Sequence, residues 1–354
     1  MTQHASPDAA PRHRTVAFSG LSLRYPARAA RSGLLLLLAI AVTTVAGLLI
    51  GDYDITVGET LQAAVARGDD PLAIYFVHDV RAPRVLTALV VGAALGMAGS
   101  LFQNITGNPL GSPDIIGFTT GAATGALVQI IVVGASTHAV GIGALVGGFL
   151  TAAVVLGLAC SSGLDGGRLV LVGIGVGAAL GALNSLLIVR ASLVTAQTAA
   201  QWLAGSLNAV LWPRASLVMI AVAVLTVPAL LLSRPLGMLA LGDDSCAAVG
   251  IPVRRIRLGA VLTGVALVSV ATAATGPIAF VALAAPQLAR RLAAVPTPGL
   301  VGSALMGALL VQVSDLVAQR LFAPTELAVG VVTGAVGGLY LVALLAGEWR
   351  RNHA

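Results

Sequence analysis

The sequence predicts an all-α polytopic membrane protein with about ten transmembrane helices and both termini in the cytoplasm, and three observations carry that reading. Its 354 residues are 57% hydrophobic and only 10% charged, with a mean hydropathy of +0.96. Several apolar runs approach the roughly 20 residues a helix needs to cross a bilayer. Those runs, 34–50 and 217–232 among them, do not alternate apolar with polar residues as the strands of a membrane barrel would.

Taken in order, the chain opens with an Arg-rich tail, 1–32, carrying Arg12, Arg14, Arg24, Arg28 and Arg31. The apolar run that follows is longer than a signal-peptide core of about 7–15 residues and lacks a clear small-residue cleavage site, so it is expected to be retained as a first span. Apolar runs between polar or Pro/Gly breaks then place spans near 33–50, 85–104, 115–134, 139–160, 168–190, 214–232, 257–275, 278–293, 299–319 and 327–346. The transmembrane domain is thus 33–350, with a long loop at 233–257.

Ten spans put both termini on one side, and arginine counts choose the side. All 20 basic residues are Arg; 14 fall with the termini and six opposite, namely Arg67, Arg81, Arg84, Arg190, Arg214 and Arg320. The positive-inside bias makes the first side cytoplasmic. It also explains the net charge of +6 better than nucleic-acid binding does, because the arginines sit at span ends rather than on one face.

Small residues recur four apart at Gly92/Gly96, Gly117/Gly121/Gly125, Gly143/Gly147, Gly173/Gly177/Gly181 and Gly330/Gly334/Gly338. In lipid this spacing lets helix backbones approach closely; the other reading is glycines that line a path or let helices slide.

Several function classes are disfavoured. A chain without Lys has no G-x-x-x-x-G-K-[ST] loop, so any ATP must be bound by another chain. The five histidines lie in tails or outer loops, which supports neither a metal pair nor a Ser/His protease, and no span offers Ser206 a base. Cys160 and Cys246 fall on or near the cytoplasmic side and read as ordinary small residues. No span carries a charge near its centre, which argues against ion-coupled secondary transport. Asp315, five residues before Arg320, reads as a local ion pair or a helix-end group, or else as a group with a role in transport. Gln103, Asn104, Asn184, Gln197, Gln201 and Gln287 could bond between helices or face a wet path.

Two polar stretches stand out. The outer segment 51–82 is acidic and runs into Arg81-Ala82-Pro83-Arg84, whose arginines read either as interface anchors or as bidentate captors of a partner's carboxylates. The second, LGDDSCAAVGIPVRR, spans 241–255. Gly242 and Gly250 bracket a short helix that Asp243 or Asp244 could cap, and Pro252 suits the start of the next helix. It reads as a small helix for a groove on another protein, or as a solvated loop with positive-inside arginines.

Four stretches in order, 81–127, 241–258, 276–292 and 314–345, resemble the ten-span permeases of ABC importers for ferric siderophores, haem and cobalamin, covering most of the chain from Arg81 onward. NPLGSPDIIGFTTGAATGAL, 108–127, looks most like ferric-enterobactin-type permease subunits. The resemblance implies a non-catalytic subunit in a bacterial inner membrane that moves a ferric siderophore by alternating access. A second permease, related or identical, would complete the pore, two ATPase subunits would bind ATP and Mg, and a binding protein would dock outside. This chain would hold no cofactor.

By the same resemblance, Arg81, Arg84 and Arg320 would receive acidic residues of the binding protein. The coupling helix would be Asp243, Asp244, Ser245, Cys246, Ala247, Ala248, Val249 and Gly250, and the inner gate Ser161, Ser162 and Gly163. Asp244 stands where the family usually has Glu, Gln287 where it often has His, and Ala328 where it usually has Pro. The alternatives are haem or cobalamin as cargo, or an ion-coupled carrier acting alone.

Overall fold

A hydrocarbon environment leaves backbone N–H and C=O groups no partner but each other, and the apolar runs meet that demand as helices. The computed structural model describes residues 13–18, 21–51, 53, 55–68, 70–159, 166–208, 210–295 and 299–352. A two-stranded antiparallel hairpin, His13–Phe18 paired with Leu21–Pro26, precedes the first helix, so the tail is not helical throughout. Helix α1, Ala27–Leu49, starts six residues before the expected span edge and takes Arg28 and Arg31 into its first turns.

Two short helices follow, α2 at Val57–Ala64 and α3 at Pro71–Ile74. A π-helical stretch, Tyr75–Arg81, then leads without a break into α4, Ala82–Thr106. The run Pro71–Thr106 is 36 residues, or about 54 Å, well beyond a hydrocarbon core of about 30 Å, so its first turns stand outside. The remaining helices are α5, Phe118–Leu127, extended by a π-helical stretch Val128–Val133; α6, Thr137–Ala159; α7, Gly166–Arg190; α8, Leu193–Leu203; and α9, Trp212–Met238. After them come α10, Asp243–Ala248; α11, Val253–Thr275; α12, Val281–Ala293; α13, Leu300–Arg320; and α14, Val329–Asn352.

All ten expected spans correspond to helices. Among the described residues, seven helices are long and apolar enough to cross a membrane by length and composition, and Phe118–Val133 and Val329–Tyr340 are shorter apolar helices. The expected span 278–293 is cut short, because Gly276 and Phe280 both take positive φ and α12 begins only at Val281. Leu193–Leu203, between expected spans, is an additional helix nucleated by Ser192, whose hydroxyl caps Thr195 N–H.

Helices α4 and α11 are the most enclosed and form the centre of the bundle. Phe102 on α4 and Phe118 on α5 meet there with ring centroids 5.3 Å apart. The small-residue spacing predicts the tightest contacts correctly in the central helices: a Cβ on Gly92 would collide with the Gly307 carbonyl, and one on Gly125 with that of Gly143. It does not hold at Gly181, Gly334 or Gly338, which face open space. Polar side chains add links between helices, as where Gln312 on α13 accepts from Thr43 at 2.8 Å and donates to Thr44 at 2.9 Å on α1.

Candidate functional site

The polar groups gather toward the two ends of the bundle. At the end where α4 begins, the last turn of α13 meets the first turn of α4. Arg84 donates through Nε and Nη2 to the Asp315 carboxylate at 3.0 Å, and through Nη1 to Glu326 at 3.0 Å. Gln319 donates to the same carboxylate at 2.8 Å. Asp315 is 3% exposed, so it is a buried ion whose charge this fork and amide answer. Its partner is therefore Arg84, 231 residues away, and not the nearby Arg320 that local spacing suggested.

Arg81 is likewise turned inward. Its guanidinium donates to the carbonyls of Leu48 at 3.0 Å, Leu49 at 3.2 Å and Tyr53 at 2.9 Å, closing the C-terminal end of α1. Of the three arginines expected to meet a binding protein, Arg81 and Arg84 are turned inward, and Arg320 has an exposed position at the end of α13. The segment around them is ordered by local chemistry. Thr56 and Glu59 form a reciprocal capping box that opens α2, and Tyr53 donates to Asp70 at 2.9 Å. The Thr56 hydroxyl and N–H hold the Glu59 carboxyl below its ordinary range, and the Tyr53 hydroxyl does the same for Asp70.

At the opposite end α9 runs through one short 3₁₀ turn, Leu239–Leu241, to Gly242 at φ +94° and then α10. The short helix expected between the two glycines is present, but it is six residues long; Val249 and Gly250 form the turn that leaves it. Neither aspartate caps it. Gly242 holds the cap position, and Asp243 instead accepts a two-pronged bond from Arg257 of α11, 2.8 Å on each arm. Asp244, Ser245, Ala247, Ala248, Val249 and Gly250 are exposed, whereas Cys246 is buried and donates to the Met238 carbonyl at 3.1 Å. Cys246 and Asp243 are thus the two anchors of an otherwise projecting helix. The expected gate residues Ser161, Ser162 and Gly163 lie outside the described residues.

Near the end where α4 finishes, Gln103 of α4 and Gln287 of α12 are both buried and bonded to each other through the Gln287 Nε2 and the Gln103 Oε1. Gln103 also donates to the Leu283 carbonyl at 3.0 Å and Gln287 to that of Pro109 at 3.4 Å. These two residues take the interhelical role. Asn104 donates to the Ser100 carbonyl of its own helix at 2.8 Å, and Gln197 and Gln201 are exposed. Sequence reasoning passed over Asp114 in the loop leading to α5, which accepts from Thr119 at 2.6 Å and has its second oxygen buried. Ser206 caps Asn208 N–H at 3.0 Å and donates its own N–H to the Thr275 carbonyl of α11 at 2.7 Å.

Helix α7 shows one open face. Leu171, Ile174, Leu186 and Val189 are exposed along it, interleaved with Gly175, Ala178, Ala182 and Ser185. Small residues between apolar ones are the surface on which a second membrane helix packs closely.

Comparison with known proteins agrees with this architecture. The family model described as the FecCD transport family matches residues 36–347. The chain is 44% identical to the ferric enterobactin transport system permease protein FepG of Escherichia coli (strain K12), over 90% of this chain and 96% of that protein. It is 36% identical to the achromobactin transport system permease protein CbrC of Dickeya dadantii (strain 3937), over 89% and 90% of the two. Among solved structures, a metal-chelate type ABC transporter in an inward-facing conformation superposes with a TM-score of 0.80 at 28% identity, covering 90% of this chain and 99% of that one.

Proposed function

The chain belongs to the FecCD transport family, and from that premise we propose that it is the membrane-spanning permease subunit of an ATP-driven importer for a ferric siderophore, most similar in cargo to ferric enterobactin. The observation that carries the mechanism is α10: a short helix projecting from the bundle and pinned by Asp243 and Cys246 to the helices on either side. A projecting helix with small side chains fits a groove on a partner, and its two pins would pass a push from that partner into α9 and α11. The partner is an ATPase subunit that holds ATP and Mg, so this chain carries no cofactor and catalyses no reaction.

The arginine asymmetry supports placing both termini and α10 in the cytoplasm of a bacterial inner membrane. The open face of α7 supports a second permease chain, related or identical, packed against it to complete the pore. On the outside, the rim formed by Arg320 and the exposed loop 321–326 is the proposed seat of the binding protein. Arg81 and Arg84 shape that rim from within, and acidic residues of the binding protein would reach it through salt-sensitive contacts.

The test is reconstitution. Proteoliposomes holding this chain with a partner permease and ATPase should take up ferric catecholate siderophore when ATP and the binding protein are supplied. Uptake by this chain alone, driven by a proton or sodium gradient, would replace the importer reading with that of a secondary carrier.

A further inference from the structure

We propose that the groove between the first turns of α6, α9 and the end of α11 is a binding site for one anionic phospholipid, with Arg214 on its phosphate. The groove holds about 380 Å³. Its walls are three helix faces at helical spacing: His138, Gly141, Ile142 and Leu145 on α6; Arg214, Leu217, Val218 and Ala221 on α9; and Val270, Ala273 and Ala274 on α11. Everything below the rim is apolar or glycine. From Arg214 to Ala221 the wall runs about 10 Å, roughly a third of a hydrocarbon core, which suits the upper part of an acyl chain.

The rim supplies the charge argument. Arg214 is half-buried and, among the described residues, its guanidinium forms no hydrogen bond or ion pair. A partly buried guanidinium without an acid is costly, and an anion relieves that cost. Its position sharpens the point. Arg214 is the third residue of α9 and His138 the second of α6, so both stand at helix N-termini, where the backbone dipole favours a negative group and disfavours a cation. Two N-termini of long helices and an unpaired arginine therefore converge on one spot, which a phosphate diester satisfies.

Trp212 marks the depth. Its indole donates to the His78 carbonyl at 2.9 Å, and such amphipathic rings sit at headgroup level. None of the groove's lining comes from α7, so it lies away from the face assigned to the second permease.

Native mass spectrometry of the full chain in detergent tests this with phosphatidylglycerol, phosphatidylethanolamine and inorganic phosphate as probes. The expected result is one retained phosphatidylglycerol, preferred over phosphatidylethanolamine. Arg214→Gln should weaken that retention about tenfold or more, the effect of losing one charge-assisted hydrogen bond. Ala221→Phe, which fills the groove and leaves Arg214 in place, should also release the lipid, so the proposal does not hang on one variant folding. Equal retention of the two lipids, or retention unchanged in both variants, overturns it. Displacement of the lipid by millimolar inorganic phosphate reduces the site to a simple anion site, and displacement by ferric siderophore assigns it to cargo; either result also overturns it.

Discussion

Arg84 and Asp315 stand 231 residues apart in the chain and meet in a two-pronged ion pair that ties the first turn of α4 to the last turns of α13. Each side chain is largely shielded, with side-chain exposures of 13% and 4%. A planar guanidinium matches a carboxylate on two bonds at once, which lysine cannot do. The pair therefore sets the angle between two helices that also touch backbone to backbone at Gly92 and Gly307.

Removing Arg84 leaves the buried Asp315 charge without its cation, whereas removing the Asp315 charge still leaves Arg84 paired with Glu326. Arg84→Ala is therefore expected to cost about 3–5 kcal/mol, seen as a lowered thermal midpoint of the full chain in detergent, and Asp315→Asn less. The double change Arg84→Met with Asp315→Leu should cost less than Arg84→Ala, because it removes both charges together. Additive losses in the double variant would show that the two residues do not act as a pair.

Much of the bundle was legible because its signals are local. Length, apolarity and glycine or proline breaks located ten helices, and Gly242 and Gly250 bracketed α10 correctly. What was not legible depends on distance along the chain or on a single backbone turn. No local pattern links Arg84 to Asp315 or Gln103 to Gln287, and nothing in the apolar run 278–293 announces that Phe280 adopts a left-handed conformation and delays α12. The roles within α10 were also misread: aspartates after a glycine resemble caps, yet an arginine one and a half turns into α11 offered Asp243 a stronger partner than its own backbone.

The coupling proposal separates stability from transport. The Asp243 carboxylate is half-exposed, so Asp243→Ala should cost at most about 1 kcal/mol of stability. Gly242 at φ +94° and ψ 153° tolerates no side chain without strain of about 1–3 kcal/mol, and Gly242→Val should tilt α10 away from its pins. In the reconstituted complex both variants should lose ATP-driven uptake while ATP hydrolysis continues and the binding protein still docks. Uptake that survives both changes would remove α10 from the coupling path.

The capping box on α2 gives a pH dependence whose sign is fixed. Thr56 lowers the Glu59 pKa from its ordinary 4.5, so the cap's contribution is present above that value and is lost as pH falls through the lowered one. Amide hydrogen exchange across 57–64, corrected for intrinsic rates, should show steady protection from neutral pH down to the ordinary 4.5 and a loss only below it. Glu59→Gln should show weaker protection near neutrality and a flatter profile. A wild-type profile identical to that of Glu59→Gln would count against the cap.

Gln287 carries the link between α12 and α4, and its replacement decides whether that link is structural. Leucine at this position fills similar volume but leaves the Gln103 Oε1 and the Pro109 carbonyl without the amide that now donates to them. A buried acceptor left unpaired costs about 1–3 kcal/mol, so Gln287→Leu should lower the thermal midpoint. Histidine keeps a ring N–H that can donate to Gln103, so Gln287→His should stay near the wild type in both stability and uptake. Leucine and histidine variants of equal stability would mean that the Gln103–Gln287 bond contributes nothing to holding the two helices, and a loss of uptake in Gln287→Leu alone would then have to come from the path the cargo takes.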